Sequence, residues 1–354
     1  MIAARWPRDD TAQEKLMVVD PGSGRFEARR VNDLPGLLRA GDLLVVNDAA
    51  TLPASLRGVT LQGEPIEARL LALHGEGASR WRAVLFGAGD WRTRTEDRRP
   101  PPRLAAGDRL RFDGGLVAHV ERVGASSERL VELRFDADED QFWSLLYRHG
   151  RPVQYAHVAA PLALWHVQTV FGARPWASEM PSAARPLAWE LILALRGQGI
   201  GFARVTHAAG LSATGDARLD AALPLRESFA VPAETVEAIG RARAQAARVV
   251  AVGTSVVRAL EPVTNEDGTP RAATGETDLL VDGSRPLRVV DAILTGMHEP
   301  GTSHDALLHA FAPDALLRTA HAAAEASGFL GHEFGDSMLL LRGALPAPEG
   351  RAAW

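Results

Sequence analysis

Residues 248–261 read RVVAVGTSVVRALE, a run in which a β-branched strand breaks at a glycine and a Thr-Ser pair opens a helix-like segment. Val249, Val250, Ala251 and Val252 have the length and branching of a buried strand, and Gly253 permits a sharp turn. Thr254 or Ser255 is then placed to cap a helix carrying Arg258 and Glu261. Unpaired amides at a helix start, a hydroxyl and a guanidinium one turn later suit a carboxylate or a phosphate. The plain alternative is a capped strand–helix unit without a ligand, and this segment alone leaves both open.

Composition narrows the chemistry. The chain has 354 residues, 46% of them hydrophobic and 23% charged, which is ordinary for a globular protein large enough for two domains. With no cysteine, disulfides, thiolate catalysis, zinc ribbons and iron–sulfur clusters are excluded. The start, MIAARWPRDD, lacks the apolar core of a signal peptide and no apolar run reaches membrane-spanning length, so a cytoplasmic protein without membrane contact is expected. A net charge of −5 gives no global attraction to nucleic acid. One stretch, WRTRTEDRRPPPR (91–103), gathers five arginines, and is either a solvated loop or a local nucleic-acid contact.

The elements that must hold these residues fall into two kinds. In LMVVDPGSGRFEARRV, Pro21-Gly22-Ser23-Gly24 predicts a hairpin connection, and Leu43–Val46 reads as a further buried strand. From about residue 58 to 136 the segments IEARLLAL, WRAVLFGA, DRLRF, LVAHVERV and LVELRF form short strands between turns, the pattern of a small barrel or sandwich inserted in the chain. After Gly150, helices and strands alternate: helices are predicted over 186–196, 233–247 and 314–327, and strands in GFARVTH and LRVVDAIL. No Gly-rich dinucleotide-binding loop follows a strand, which disfavours an ordinary Rossmann-type enzyme.

Taken together, DLLVVNDAATLPASLRG (42–58), HVQTVF (166–171), VTH (205–207), RESFAVP (226–232), AVGTSVVRALE (251–261), RVVDAILTGMHEP (288–300) and FGDSMLL (334–340) resemble, in order and spacing, the S-adenosylmethionine:tRNA ribosyltransferase-isomerase family of queuosine biosynthesis. The resemblance implies a discontinuous α/β domain, residues 1–58 and 150–354, with an inserted antiparallel β-barrel domain, 59–149. It also implies transfer and isomerisation of the ribosyl group of S-adenosylmethionine onto 7-aminomethyl-7-deazaguanine in tRNA. Epoxyqueuosine forms, adenine and methionine leave, and S-adenosylmethionine is a cosubstrate with no further cofactor. Such a reaction needs a base for the proton beside the sulfonium, an acid for the departing adenine, and polar groups for the ribose and the methionine part.

Matched residue by residue, the resemblance implies catalytic roles for Glu227, His298 and Asp336. It implies substrate-binding roles for Asn47, Asp48, His207, Thr254, Ser255, Arg258 and Asp291. Each has a structural alternative: a turn-capping pair for Asn47-Asp48, a core ion pair for Asp291, a hydrogen-bonded histidine for His207 or His298. No metal is expected, because His298, His304 and His309 lack metal-ligand spacing.

The chain departs from the family pattern in its loops. Asn-Asp-Thr-Arg reads Asn47-Asp48-Ala49-Ala50, and the family's glycine-rich segment after His207 reads Ala208-Ala209-Gly210-Leu211-Ser212-Ala213. Arg57 or Arg185 could reach the place of the missing cation at position 50. Matching strands with altered loops leave two alternatives beside the tRNA enzyme: a small-molecule acceptor such as a free 7-deazapurine, or a non-catalytic nucleoside- or RNA-binding member.

Overall fold

The strands Leu43–Asn47 and Gly201–His207 lie side by side in parallel register, Leu43 opposite Gly201 and Asn47 opposite Val205. Most of the chain between them builds a separate body. The computed structural model describes residues 1–73 and 79–345. In it the strands Ser55–Thr60, Pro65–Leu73, Arg80–Phe86, Arg109–Phe112, Val117–Val123 and Leu130–Phe135 close into a six-stranded barrel whose pairings are all antiparallel. The chain enters and leaves it at one point, where Ser55 and Arg151 exchange both backbone hydrogen bonds at 2.9 Å.

Alternation explains the barrel. Leu130–Phe135 buries every second residue, and Trp81, Phe86, Phe112 and Phe135 fill the interior with Phe142 from the helix Glu139–His149. Part of the basic stretch belongs to this interior. Arg98 is 2% exposed and pairs with Glu67 at 2.8 Å, and its guanidinium lies over Phe86, as do those of Arg69 and Arg129. Arg92 pairs with Asp90 and Arg94 with Glu96, so the charge that reads as one basic patch is divided between core and surface.

The larger sheet has nine strands in the order Ala273–Thr277, Glu227–Val231, Gly201–His207, Leu43–Asn47, Val249–Val252, Ala292–Gly296, Ser337–Leu340, Lys15–Asp20, Arg25–Arg30. The four from Gly201–His207 to Ala292–Gly296 are mutually parallel, and antiparallel strands flank them on both sides. Helices cover both faces, giving one core around Val249, Ala251, Val257 and Leu260 and another around Leu44, Ile192 and Leu294.

Some expected elements differ from the observed ones; the helix expected over 233–247 ends at Ala244, with Gln245 as its C-cap and Ala246 left-handed at φ 53°. The strand LRVVDAIL begins only at Ala292, because the N–H groups of Arg288, Val289 and Val290 donate to the Glu261 carboxylate instead of to a neighbouring strand. The first expected helix starts at Trp189, not 186, since Ala188 is extended and acts as its N-cap.

The barrel's buried charge gives a test. Burial pushes the Glu67 carboxyl up, but Arg69 and Arg98 outweigh it and hold the group at about 2. Glu67→Ala leaves two buried guanidiniums short of their carboxylate and is expected to cost about 3–5 kcal/mol in chemical denaturation at pH 7. The depressed value means that the contribution is present above about pH 4.5 and is lost as pH falls toward 2. The difference between wild type and variant should therefore shrink through that window; a constant difference refutes this assignment.

Candidate active site

Because four neighbouring strands run the same way, their C-terminal ends meet at one edge of the sheet, where ligands of open α/β sheets bind. Along that edge stand Glu227, His207, Asn47, Thr254 with Ser255, His298 beyond Gly296, Asp336 and Glu14, in the order of their strands. Residues scattered over the chain thus form one row.

Asn47 ties its middle together. Fully buried, its Nδ2 donates to His207 O (2.9 Å) and Ser255 Oγ (3.2 Å), and its Oδ1 accepts from His207 N (2.9 Å) and Ala49 N (3.0 Å). Both donors and both lone pairs are committed, so Asn47 positions its neighbours and has no hydrogen-bonding capacity left for a ligand.

Beside it lies a buried charged group. Arg258 Nη1 is 2.7 Å from Glu227 Oε2, His207 Nε2 is 3.4 Å from the same oxygen, and Gly210 N donates to Glu227 Oε1 at 2.7 Å. Burial holds the Glu227 carboxyl above the usual carboxylate range although Arg258 and Gly210 pull the other way. Burial, with Arg258 and His304 nearby, lowers His207 to about 3, so its imidazole is neutral. His207 Nδ1 and Arg258 Nη2 are buried without a hydrogen-bond partner, atoms that a bound molecule would satisfy. Glu227 also lines a small pocket with Leu71 of the barrel wall, Gly210, Leu211, Leu223 and Leu225.

Farther along, the rings of His298 and His304 stack with centroids 4.9 Å apart. His298 Nε2 shares a hydrogen bond with Thr295 Oγ1 (2.7 Å), and His304 Nδ1 shares one with Thr254 Oγ1 (2.9 Å). Crowding by protein keeps both rings neutral: burial lowers His304 to about 4 and drives His298 well below the ordinary histidine value. A second small cavity follows, lined by Glu14, Arg185, Gly296, His332, Glu333 and Asp336.

The sequence pattern of the family described as queuosine biosynthesis protein matches residues 1–340. The S-adenosylmethionine:tRNA ribosyltransferase-isomerase of Methylobacterium sp. (strain 4-46) is 34% identical, over 95% of this chain and 93% of that protein. The chain belongs to the queuosine biosynthesis protein family. The correspondingly named protein of Gloeobacter violaceus is 33% identical over 96% of this chain and 93% of its own length. A crystal structure of S-adenosylmethionine tRNA ribosyltransferase from Thermotoga maritima superposes with a TM-score of 0.52 at 25% identity, covering 96% of each chain. No helix among the described residues is long and apolar enough to cross a membrane.

Within this family framework several expected roles are relocated. Gly253, with φ 96°, is the N-cap, and Thr254 and Ser255 sit inside the helix Thr254–Leu260 with their hydroxyls turned to His304 and Asn47, so neither caps it. Arg258 faces Glu227 in an ion pair. Asp291 stands at the opposite edge of the sheet and accepts from Val249 N at 2.8 Å, which fixes the start of two strands and removes it from the row. Asp336 accepts from Leu330 N (2.7 Å), Lys15 N (2.9 Å) and Arg8 (2.9 Å), an anchoring set for a carboxylate that is 1% exposed. Asp48 accepts from Thr206 Oγ1 at 2.5 Å. Arg57 faces Asp90, and Arg185 faces Glu14 in the second cavity; Arg174 is the residue in register with Ala49. Glu179, which accepts from Tyr155 and from Ser212 N, escaped sequence reasoning, and His304 figured there only as a rejected metal ligand, because their partners lie far away in the chain.

Asn47→Ala strands the buried N–H groups of His207 and Ala49, at about 1–3 kcal/mol each, so a loss of at least about 2 kcal/mol is expected in denaturant unfolding. For His207, the ring resonances should stay unchanged between pH 7 and pH 5 and titrate near 3. Since the unfolded chain takes up the proton near pH 6.5, this residue's share of stability falls as pH drops from there toward 3. Subtraction of the His207→Gln variant isolates that share.

Proposed function

We propose that the chain acts as an S-adenosylmethionine:tRNA ribosyltransferase-isomerase, with Glu227 and His298 as its proton-transfer groups. The observation that carries this assignment is the row at the strand ends, in which a buried carboxyl of raised proton affinity and neutral imidazoles stand near unsatisfied polar atoms. A neutral imidazole at His298 can take the acidic proton beside a sulfonium, and a carboxyl of raised proton affinity at Glu227 can assist a departing adenine. His207, Arg258, Thr254 and Ser255 supply the polar surroundings for the cosubstrate. Asn47 and Asp336 hold the backbone that presents them. Membership in a family whose relatives are named for tRNA favours tRNA as acceptor, and nothing favours a free 7-deazapurine.

The test is to incubate the protein with S-adenosylmethionine, with and without tRNA carrying 7-aminomethyl-7-deazaguanine, and to follow adenine, methionine and the mass of the modified nucleoside. Product that depends on tRNA is expected. Adenine release without tRNA, or none under either condition, overturns the proposal. Glu227→Gln and His298→Ala should each lower kcat by about 10²–10⁴ while the fold is retained. Replacing the exposed Arg92, Arg94 and Arg99 with alanine should weaken tRNA binding and flatten its salt dependence. Unchanged binding would remove that loop from the interface.

A further inference from the structure

Beyond that reaction, three side chains outside the row converge in a way the mechanism does not use. His157 comes from the segment that follows the barrel, and His332 and Glu333 from the turn between Leu330–Gly331 and Ser337–Leu340. His157 and Glu333 are 176 positions apart in sequence, yet His157 Nε2 and Glu333 Oε2 are 3.2 Å apart. The two imidazole rings face each other with centroids 4.4 Å apart, and one ligand atom from each of the three residues lies within 4.8 Å of the others. All three are half-buried.

The turn that carries His332 and Glu333 is built firmly. His332 has φ 67°, a left-handed conformation that a histidine adopts against its preference. The surrounding backbone enforces it: Gly335 N donates to His332 O at 2.9 Å and Asp336 N to Leu330 O at 2.8 Å. A Cβ on Gly335 would come within 2.4 Å of Leu330 O, so the turn admits no larger residue there. A carboxylate oxygen of Glu299 lies 3.2 Å from His332 Nε2, where outer-shell carboxylates orient ligating imidazoles.

We infer that His157, His332 and Glu333 form a binding site for a divalent transition ion of the zinc class. Two imidazoles and one carboxylate are a donor set that zinc accepts at about 2.0–2.2 Å, which in a tetrahedron sets donor atoms about 3.3–3.5 Å apart. The His157–Glu333 pair already stands near that spacing, and a modest side-chain rotation brings in His332. With both imidazoles neutral as ligands, Glu333 and Glu299 bring two negative charges that a divalent ion balances. His332 and Glu333 also line the second cavity together with Gly296 and Asp336, so the fourth position of the ion would open toward that cavity. Spacing along the chain gives no hint of this set, because its ligands come from the two sides of a long stretch of sheet.

The experiment uses the full, untagged chain stripped with a chelator. Titration with Zn²⁺ should show saturable binding of one ion per chain and a rise in melting temperature, and Co²⁺ should give the visible absorption of a tetrahedral site. His157→Gln, Glu333→Gln and His332→Asn should each weaken Zn²⁺ binding at least about 10–100-fold, and Glu299→Gln by about 10-fold as an outer-shell change. Asparagine is chosen at 332 because it tolerates the left-handed backbone, and His157→Gln tests the site without touching that turn. Absence of saturable binding by the wild-type chain overturns the proposal. So does equal Zn²⁺ stabilisation of wild type and His157→Gln, which would put the ion elsewhere.

Discussion

The side-chain amide of Asn47 is the contact on which the functional edge depends. Its two donors and two acceptor sites reach His207, Ala49 and Ser255, so one buried group fixes the ends of two adjacent strands and the start of the helix that follows a third. An amide in this place is strongly specified, since any side chain with fewer donors or acceptors leaves backbone groups unpaired away from water. Held this way, the edge can tolerate the charged and neutral titratable groups packed beside it.

That packing shapes their chemistry. Arg258 and Glu227 neutralise each other at 2.7 Å, but the pair is so far from solvent that the carboxyl still keeps an enhanced hold on its proton. The same low-dielectric surroundings keep His207, His298 and His304 uncharged. A carboxyl of raised proton affinity beside neutral imidazoles is a pairing suited to acid–base chemistry. The barrel contributes as a wall: Ser178 Oγ sits 2.7 Å from Leu70 O and 2.9 Å from Leu71 O, which seats Leu71 against the cavity at Glu227.

Much of this arrangement was legible in the residues. Alternation in LVELRF and its neighbours declared the barrel strands, and the hairpin at Pro21–Gly24, the run Val249–Val252 and the glycine at 253 all carry their local geometry in their side chains. Local signals misled where a distant group intervened. Glu261 captured the amides that would have extended a strand back to Leu287, and Glu67 drew Arg98 out of an apparently basic loop into the barrel.

By itself, then, the sequence determined most of the segments that become strands and helices and that a strand-rich unit interrupts an α/β chain, because apolar period and turn chemistry are local properties; the family resemblance implied a barrel, and strand pairing closes it. Only the tertiary structure decided what each polar residue does. Asp291 and Glu227 both stand at the start of strands, yet one strand runs parallel to its neighbour and the other antiparallel, which sends Asp291 to the far edge of the sheet to brace Val249 and Glu227 into a pocket beside Arg258. A side chain's role at such a site depends on partners and burial set by strand order, and strand order joins residues that the chain keeps far apart.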